Sequence, residues 1–332
     1  MDKHTWSPAE LLQLSGGYWG TCALHAGVKL DLFSYAGKVS ELAQATASDV
    51  RGLEMLLIAL TALGLMEKNG DRYSATASAA TYLSRTSPHY LGHIIMHHHH
   101  LMDGWAHLDE SVRSGAPLRE RVSHDHDETA RESFEMGMFN LAMLIAPRIV
   151  SHVDLRGRRR LIDLGGGPGT YAIHFCQANP QLTATVYDLP TTRPFAEKTI
   201  ASFGLSDRVS FYAGDFINDA VPGGFDVAWL SHILHSEGPE GCAVTLRRAV
   251  AALEPGGMLM VQEFILDNNM EGPLHPALFS LNMLLGTPQG RAYSQLQLEE
   301  MMTAAGIGSI RRLELALPNG AGVLAGIVTH RL

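Results

Sequence analysis

A chain of 332 residues, 46% apolar and 18% charged, is long enough for two domains and a sizeable core. Its formal net charge of −9 argues against a nucleic-acid partner, because phosphate neutralisation needs clustered Lys and Arg. Three scattered cysteines (Cys22, Cys176 and Cys242) fit free thiols, no signal peptide is visible, and the longest apolar run, Met55 to Met66, is broken by Thr61 and Gly64, so a cytoplasmic protein with no membrane partner is expected.

Taken in chain order, Ser7-Pro8-Ala9-Glu10 has the form of a capping box with proline at the first helical position. Val39 to Gln44 and Asp49 to Leu63 follow as two amphipathic helices joined by a short polar turn, the second ended by Gly64. Leu65 to Thr76 (LMEKNGDRYSAT) then reads as strand, Asn-Gly turn, strand. Helix, turn, helix and wing over residues 1 to 85 make a winged-helix pattern. The helix that would enter a DNA groove carries Arg51 as its sole positive charge, and across residues 36 to 85 five basic side chains are matched by five acidic ones. A groove reader needs surplus positive charge, so packing or dimerisation is the better reading.

Residues 86 to 155 read as helical, His-rich and Met-rich, with eight of the 17 histidines between 93 and 126. If residues 92 to 110 form one helix, His93, His97, His100 and His107 stack along one face with Gly104 among them, while His98 and His99 point to solvent. Histidines at i and i+4 can chelate a metal, yet no Asp, Glu or Cys partner is assigned; a plain polar face is the simpler reading.

From Arg160 short apolar runs alternate with helical segments, the mark of a parallel α/β sheet. The strand candidates are RLIDLG, TATVYDL, VSFYAGDF, FDVAWLSH and GMLMVQEF, then Ile310 to Ala316 and Val323 to Thr329 joined through Pro318-Asn319-Gly320. That last pair forms a hairpin, so one strand must run against the rest. The basic run Arg156 to Arg160, just ahead of the first strand, reads as a solvated loop. LIDLGGGPGTYA (Leu161 to Ala172) sets a glycine-rich turn between a strand and a helix, where backbone can approach a ligand and a helix N-terminus favours negative charge. Such a turn could serve a dinucleotide or S-adenosylmethionine. The dinucleotide fingerprint wants a third glycine where Thr170 stands. Asp163, two positions before the first glycine, could meet a methionyl ammonium, and Asp188 and Asp215 close the next two strands where ligands bind.

DLGGGPG (163–169), DLP (188–190), GDF (214–216), FDVAWLSHILH (225–235), LEPGGMLMVQE (253–263) and AAG (304–306) together make the chain resemble the class I S-adenosylmethionine-dependent methyltransferases. Within them it is most similar to the small-molecule O-methyltransferases related to plant caffeate and bacterial antibiotic enzymes, whose dimerisation domain matches the winged helix. The resemblance implies a Rossmann-like seven-stranded sheet with an antiparallel last strand, plus an all-helical winged-helix domain. It implies a homodimer organised as a dimerisation domain (1–85), a helical linker (86–155) and a cofactor domain (156–332). Gly165, Gly166, Gly167 and Gly169 would cradle the methionyl end of S-adenosylmethionine beside Asp163. Asp188 and Leu189 would hold the ribose, Asp215 and Phe216 would flank the adenine, and Ser231 and His232 would lie on the cofactor side. S-adenosylhomocysteine would be the product.

By the same resemblance His235 is the general base and Glu263 its support. Two departures stand out: Ala292 occupies the place of a second supporting glutamate, and Ser236 follows the base where the family often has Asp. The acceptor pocket would draw on His97, His100, Met136, Phe139, Met143, Phe279, Asn282 and Met283, and the group uses no metal. The reaction implied is methylation of a hydroxyl on a small aromatic or polycyclic metabolite. Methylation at carbon, a relative that has lost methyl transfer, a winged-helix regulator and a nicotinamide oxidoreductase are the alternatives.

Overall fold

The computed structural model describes residues 5–119 and 128–329, so His124 and His126 of the His-rich stretch lie outside the described residues. It divides into two compact units, Met1–Leu101 and Met102–Leu332. In the first, α1 (Pro8–Gly16) and α2 (Tyr18–Lys29) lead to β1 (Gly37–Lys38), α3 (Val39–Ala45) and α4 (Val50–Ala62). Then come β2 (Met66–Asn69), β3 (Arg72–Ala75), α5 (Ala77–Leu83) and the start of α6 (Gly92–Ala106).

Local chemistry sets these boundaries. Glu10 accepts from the Ser7 backbone N–H at 2.8 Å while the Ser7 hydroxyl accepts from the Glu10 N–H at 3.3 Å, the reciprocal cap read from the sequence. Asp49 caps α4 by accepting from the Gly52 N–H at 2.8 Å, and Gly64 ends its run in the left-handed region at φ 74°. Leu32, Phe33, Leu42, Leu53, Leu57, Leu60 and Tyr73 form the core of this unit. The unit is not all-helical: Gly37–Lys38 pairs with Arg72–Tyr73, giving a three-stranded sheet in the order β1-β3-β2. A two-residue strand has no periodicity to read, which is why the sequence hid it.

The histidine helix also needs correction. α6 stops at Ala106, because the His107 N–H turns to the Gly104 carbonyl (3.1 Å) and its Nδ1 lies 2.9 Å from the Asp103 carbonyl oxygen. His107 then becomes the N-cap of α7 (Leu108–Ser114), so the face predicted to carry four histidines loses one of them. His98 is exposed as expected, but His99 is half-buried with its ring edge-on to the buried His25 at 5.5 Å. Burial first, then His99 and His98, lowers the His25 pKa.

In the second unit α7 is followed by α8 (Glu128–Val150) and by strands β4 (Arg160–Leu164), β5 (Thr183–Asp188), β6 (Val209–Ala213) and β7 (Phe225–Ser231). β8 (Leu253–Leu266), β9 (Tyr293–Ser294), β10 (Ile307–Arg312) and β11 (Ala321–Val328) complete the strands. Between them run α9 (Thr170–Ala178), α10 (Arg193–Ser202), α11 (Pro239–Ala252), α12 (Leu274–Gly286) and α13 (Gln295–Ala304). The sheet order is β10-β11-β8-β7-β4-β5-β6, with β9 beside β8. β4, β5, β6, β7 and β8 run parallel, and β11 lies antiparallel to both β8 and β10. Each face carries its own core. On one, Trp229 is fully buried with its ring 5.0 Å from Tyr171 and 5.3 Å from Phe175; on the other, Ile162, Leu230, Leu246 and Leu259 meet.

β10 differs from the expected Ile310 to Ala316. It starts at Ile307, its register slips between Gly308 and Arg311 around a left-handed Ser309 (φ 52°), and it ends at Arg312. From β4 the chain adds β5 and β6 to one side and β7 and β8 to the other. That reversal of strand order opens a crevice at the carboxyl ends of β4 and β7.

Candidate active site

The turn after β4 is built to let a ligand close to backbone. Gly165, Gly167 and Gly169 all take positive φ (68°, 53° and 79°), which L side chains avoid. A Cβ at Gly165 would also collide with Ile233 and sit 3.4 Å from the Phe216 ring, and one at Gly166 would sit 2.6 Å from the Asp163 carboxyl carbon. Asp163 itself is 0% exposed, and neither carboxylate oxygen has a hydrogen-bond partner among the described residues. Burial pushes its pKa up to about 8. An orphaned buried carboxyl behind a glycine cradle fits a ligand that brings a cation.

Asp188, closing β5, accepts from the Gly167 N–H (2.7 Å) and the Leu189 N–H (2.6 Å) and lies 3.2 Å from the Thr192 hydroxyl, so it holds the glycine turn as well as facing it. Burial raises its pKa. Asp215, after β6, accepts from the Ile217 N–H at 2.9 Å and the Asn218 amide at 2.6 Å, which fixes the loop that presents Phe216. Ser231 donates to Gln262 at 3.2 Å. His232 is held at φ 58° with its N–H on the Gln262 carbonyl (2.9 Å). Its ring lies 4.3 Å from Phe264 and its Nδ1 3.7 Å from Glu263, so it stands with the histidine–glutamate group.

His235 sits in a short 3₁₀ turn, Leu234–Ser236, that follows β7, and Glu263 lies near the end of β8. The His235 Nδ1 is 2.8 Å from Glu263 Oε2, and its backbone N–H donates to Oε1 at 3.2 Å. Burial alone would raise the Glu263 pKa, but His235 foremost, with His232, holds it well below the usual carboxylate range. Nδ1 is engaged by the carboxylate, which leaves Nε2 for an incoming proton. Ala292 is buried and its N–H donates to Ser280 at 3.0 Å, so that position adds no second carboxylate.

Phe279 on α12 meets His235 edge-on at 4.7 Å and Phe264 at 4.8 Å, and it stacks with His275 at 6.3 Å. Asn282, one turn on, accepts from Arg119 at 3.2 Å, and Met283 is buried. The α8 residues expected in the same pocket have these neighbours. Met136 is half-buried, Phe139 meets Phe203 at 6.5 Å, and the Met143 sulfur lies 3.4 Å from the His174 Nε2. A helix spreads positions three and seven apart over a narrow stripe, and on α8 that stripe faces α9 and the end of α10. His97 (buried) and His100 (half-buried) belong to the first unit. Among the described residues one set of three potential metal-binding side chains converges, His232, His235 and Glu263, with ligand atoms within 4.8 Å of one another; no α6 histidine joins such a set. The sequence reading missed Glu135, Thr192, Gln262, Phe264 and His275. Of these Gln262 and Phe264, on either side of Glu263, carried a signal.

An open parallel sheet with a glycine cradle and two acidic strand ends at its switch point, next to a buried histidine–glutamate pair, defines a nucleoside-binding α/β enzyme. The profile of the O-methyltransferase domain matches residues 105–308 and that of the O-methyltransferase dimerisation domain matches residues 12–85. The chain is 37% identical to 3-hydroxy-5-methyl-1-naphthoate 3-O-methyltransferase of Streptomyces sahachiroi, over 96% of this chain and 95% of that protein. It is 32% identical to the tetracenomycin polyketide synthesis 8-O-methyl transferase TcmO of Streptomyces glaucescens, over 95% of this chain and 96% of that one. An O-methyltransferase family protein from Burkholderia thailandensis superposes with a TM-score of 0.87 at 30% identity, covering 98% of this chain and 99% of that structure. The protein belongs to the O-methyltransferase family that carries an N-terminal dimerisation domain, and it is a class I S-adenosylmethionine-dependent methyltransferase.

Proposed function

We propose that the protein methylates a phenolic hydroxyl of a small polycyclic aromatic acceptor, with His235 as the base. The observation that carries this reading is the buried His235–Glu263 pair, edge-on to Phe279 and one turn beyond the strand that borders the glycine cradle. When bound, S-adenosylmethionine supplies a sulfonium methyl that needs no further activation. The acceptor must therefore be oriented and relieved of its proton. The Phe264 and Phe279 rings offer faces and edges for a flat aromatic body, and the His235 Nε2 takes the hydroxyl proton as oxygen attacks the methyl. Glu263 keeps the imidazole in the tautomer with Nδ1 protonated and stabilises the imidazolium that forms. Asp163, Asp188, Leu189, Asp215, Phe216 and the glycines hold the cofactor.

Incubation of labelled S-adenosylmethionine with a panel of hydroxynaphthoates and hydroxylated tetracyclic polyketides should give an O-methyl product, assigned by NMR. Methyl on carbon, or no transfer to any hydroxyarene, would overturn the reading.

The protein acts as a homodimer through residues 1–85, with residues 86–155 linking them to the catalytic residues 156–332. None of the nine residues of α1 is buried, and Leu11, Leu12, Leu14 and, on α2, Trp19 are exposed, an apolar surface that a partner copy would cover. Leu12→Asp combined with Trp19→Asp should halve the molar mass seen by light scattering; an unchanged dimer would move the interface elsewhere. Free cysteines suit a cytoplasmic setting, and among the described residues no helix is long and apolar enough to cross a membrane.

A further inference from the structure

Glu135 is a buried carboxylate in the middle of α8 that the methyl-transfer chemistry leaves without a task. It is 3% exposed. Its Oε1 accepts from the Thr192 hydroxyl at 3.2 Å, and the same hydroxyl lies 3.2 Å from Asp188 Oδ1. A hydroxyl has one proton, so it cannot donate to both carboxylates at once. Glu135 Oε2 lies 3.7 Å from where a Cβ on Gly167 would stand, so the carboxyl faces the glycine turn. The Gly167 N–H is already committed to Asp188 at 2.7 Å. Behind the same turn, against Gly166, Asp163 is fully buried with both oxygens unpartnered. Three carboxyl groups on three elements thus surround one glycine turn.

We propose that Glu135 is a cofactor-binding residue that receives the methionyl α-ammonium of S-adenosylmethionine or S-adenosylhomocysteine and gives up a proton as that cation arrives. The inference rests on the S-adenosylmethionine reading of the site. Burial first, and the Asp188 charge second, push the Glu135 pKa up to about 8, with the Thr192 hydroxyl and Arg131 offsetting this in part. Ionisable groups on neighbouring elements include Asp163 on β4, His174 on α9, whose pKa burial lowers, Tyr171 and Cys176 on α9, whose pKa values burial raises, and on α10 Lys198 and Arg193, which pairs with Glu197 at 3.0 Å. Glu135 is therefore largely protonated at neutral pH in the free protein. An ammonium beside it favours the charged form, so the proton leaves to solvent as one positive charge replaces another. The carboxyl O–H bond is the one broken, its proton passing to water or buffer. Affinity for the cofactor then rises with pH below about 8, by at most about tenfold per pH unit for each proton displaced.

The test is calorimetric titration of the full chain with S-adenosylhomocysteine at pH 6.5, 7.5 and 8.5, in buffers of different ionisation enthalpy. 5′-Methylthioadenosine, which lacks the amino-acid end, serves as the matched ligand. Wild type should release between about half a proton and one proton at pH 7.5 with S-adenosylhomocysteine and bind methylthioadenosine with little release. Glu135→Gln should lose at least half of that release, bind S-adenosylhomocysteine about 10-fold more weakly at pH 8.5, and leave methylthioadenosine affinity unchanged. Equal weakening of both ligands, or proton release and affinity equal to wild type in a variant with a normal melting curve, would overturn the proposal. Absence of any S-adenosylhomocysteine binding by wild type would instead sink the cofactor reading beneath it.

Discussion

His235→Ala should lower methyl-transfer turnover about 10²–10⁴-fold, the range contributed by a positioned general base, with S-adenosylhomocysteine affinity within about twofold of wild type. The substitution has a structural side effect that must be separated from the chemical one. Glu263 is buried, and its nearest remaining cationic candidate, His232, stands at 3.7 Å, beyond hydrogen-bond reach. A buried carboxylate stripped of its partner is destabilising by several kcal/mol, on the order of 3–5 where the charge cannot be neutralised. His235→Asn answers this, because its amide can still donate toward Glu263 yet cannot take a proton. The melting temperature of His235→Asn should lie closer to wild type than that of His235→Ala, while both remain inactive. Turnover by His235→Asn within threefold of wild type would mean that the acceptor arrives already ionised and His235 is no base.

Glu263→Gln carries the second large effect. The amide keeps the volume and can still accept from the His235 Nδ1, but it removes the charge that stabilises the imidazolium. Turnover should drop about 10²–10⁴-fold, as expected when a carboxylate that orients a catalytic histidine becomes an amide. The same variant has a pH signature. The Glu263 carboxyl is held below its ordinary value of 4.5, so it contributes stability at pH above that value and loses it as pH falls. Wild-type melting temperature should therefore fall steeply as pH drops below about 4.5, and less steeply in Glu263→Gln. Parallel acid profiles would show that the His235–Glu263 pair contributes nothing to folding.

The alanine at position 292 has a physical consequence. Ala292 fills its place in the core with its N–H on Ser280, and the His235 imidazole keeps a single carboxylate partner. The second imidazole facing that carboxylate is His232, fixed by a left-handed backbone that a non-glycine residue adopts only when its surroundings enforce it. Here the enforcement is visible: its N–H is tied to the Gln262 carbonyl and its ring packs at a tilt against Phe264.

The sequence by itself determined whatever depends on neighbours along the chain. The Ser7 and Asp49 caps, the Asn69-Gly70 turn, the glycine turn after β4 and the acidic ends of β5 and β6 are short-range rules in which a few adjacent residues dictate backbone shape. The apolar runs of β4, β5 and β7 were legible for the same reason, since strands covered on both faces have no polar alternation to confuse them. Tertiary structure alone decided the rest. Whether α6 ran past Ala106 turned on which carbonyls His107 met, and the surroundings of Glu135 and Phe139 on one face of α8 turned on which elements packed there. Glu135 shows the limit most plainly. In sequence it is one glutamate in a methionine-rich helix, indistinguishable from a solvated one. Its chemistry comes from Asp188, 53 positions later, and from the desolvation that only folding imposes.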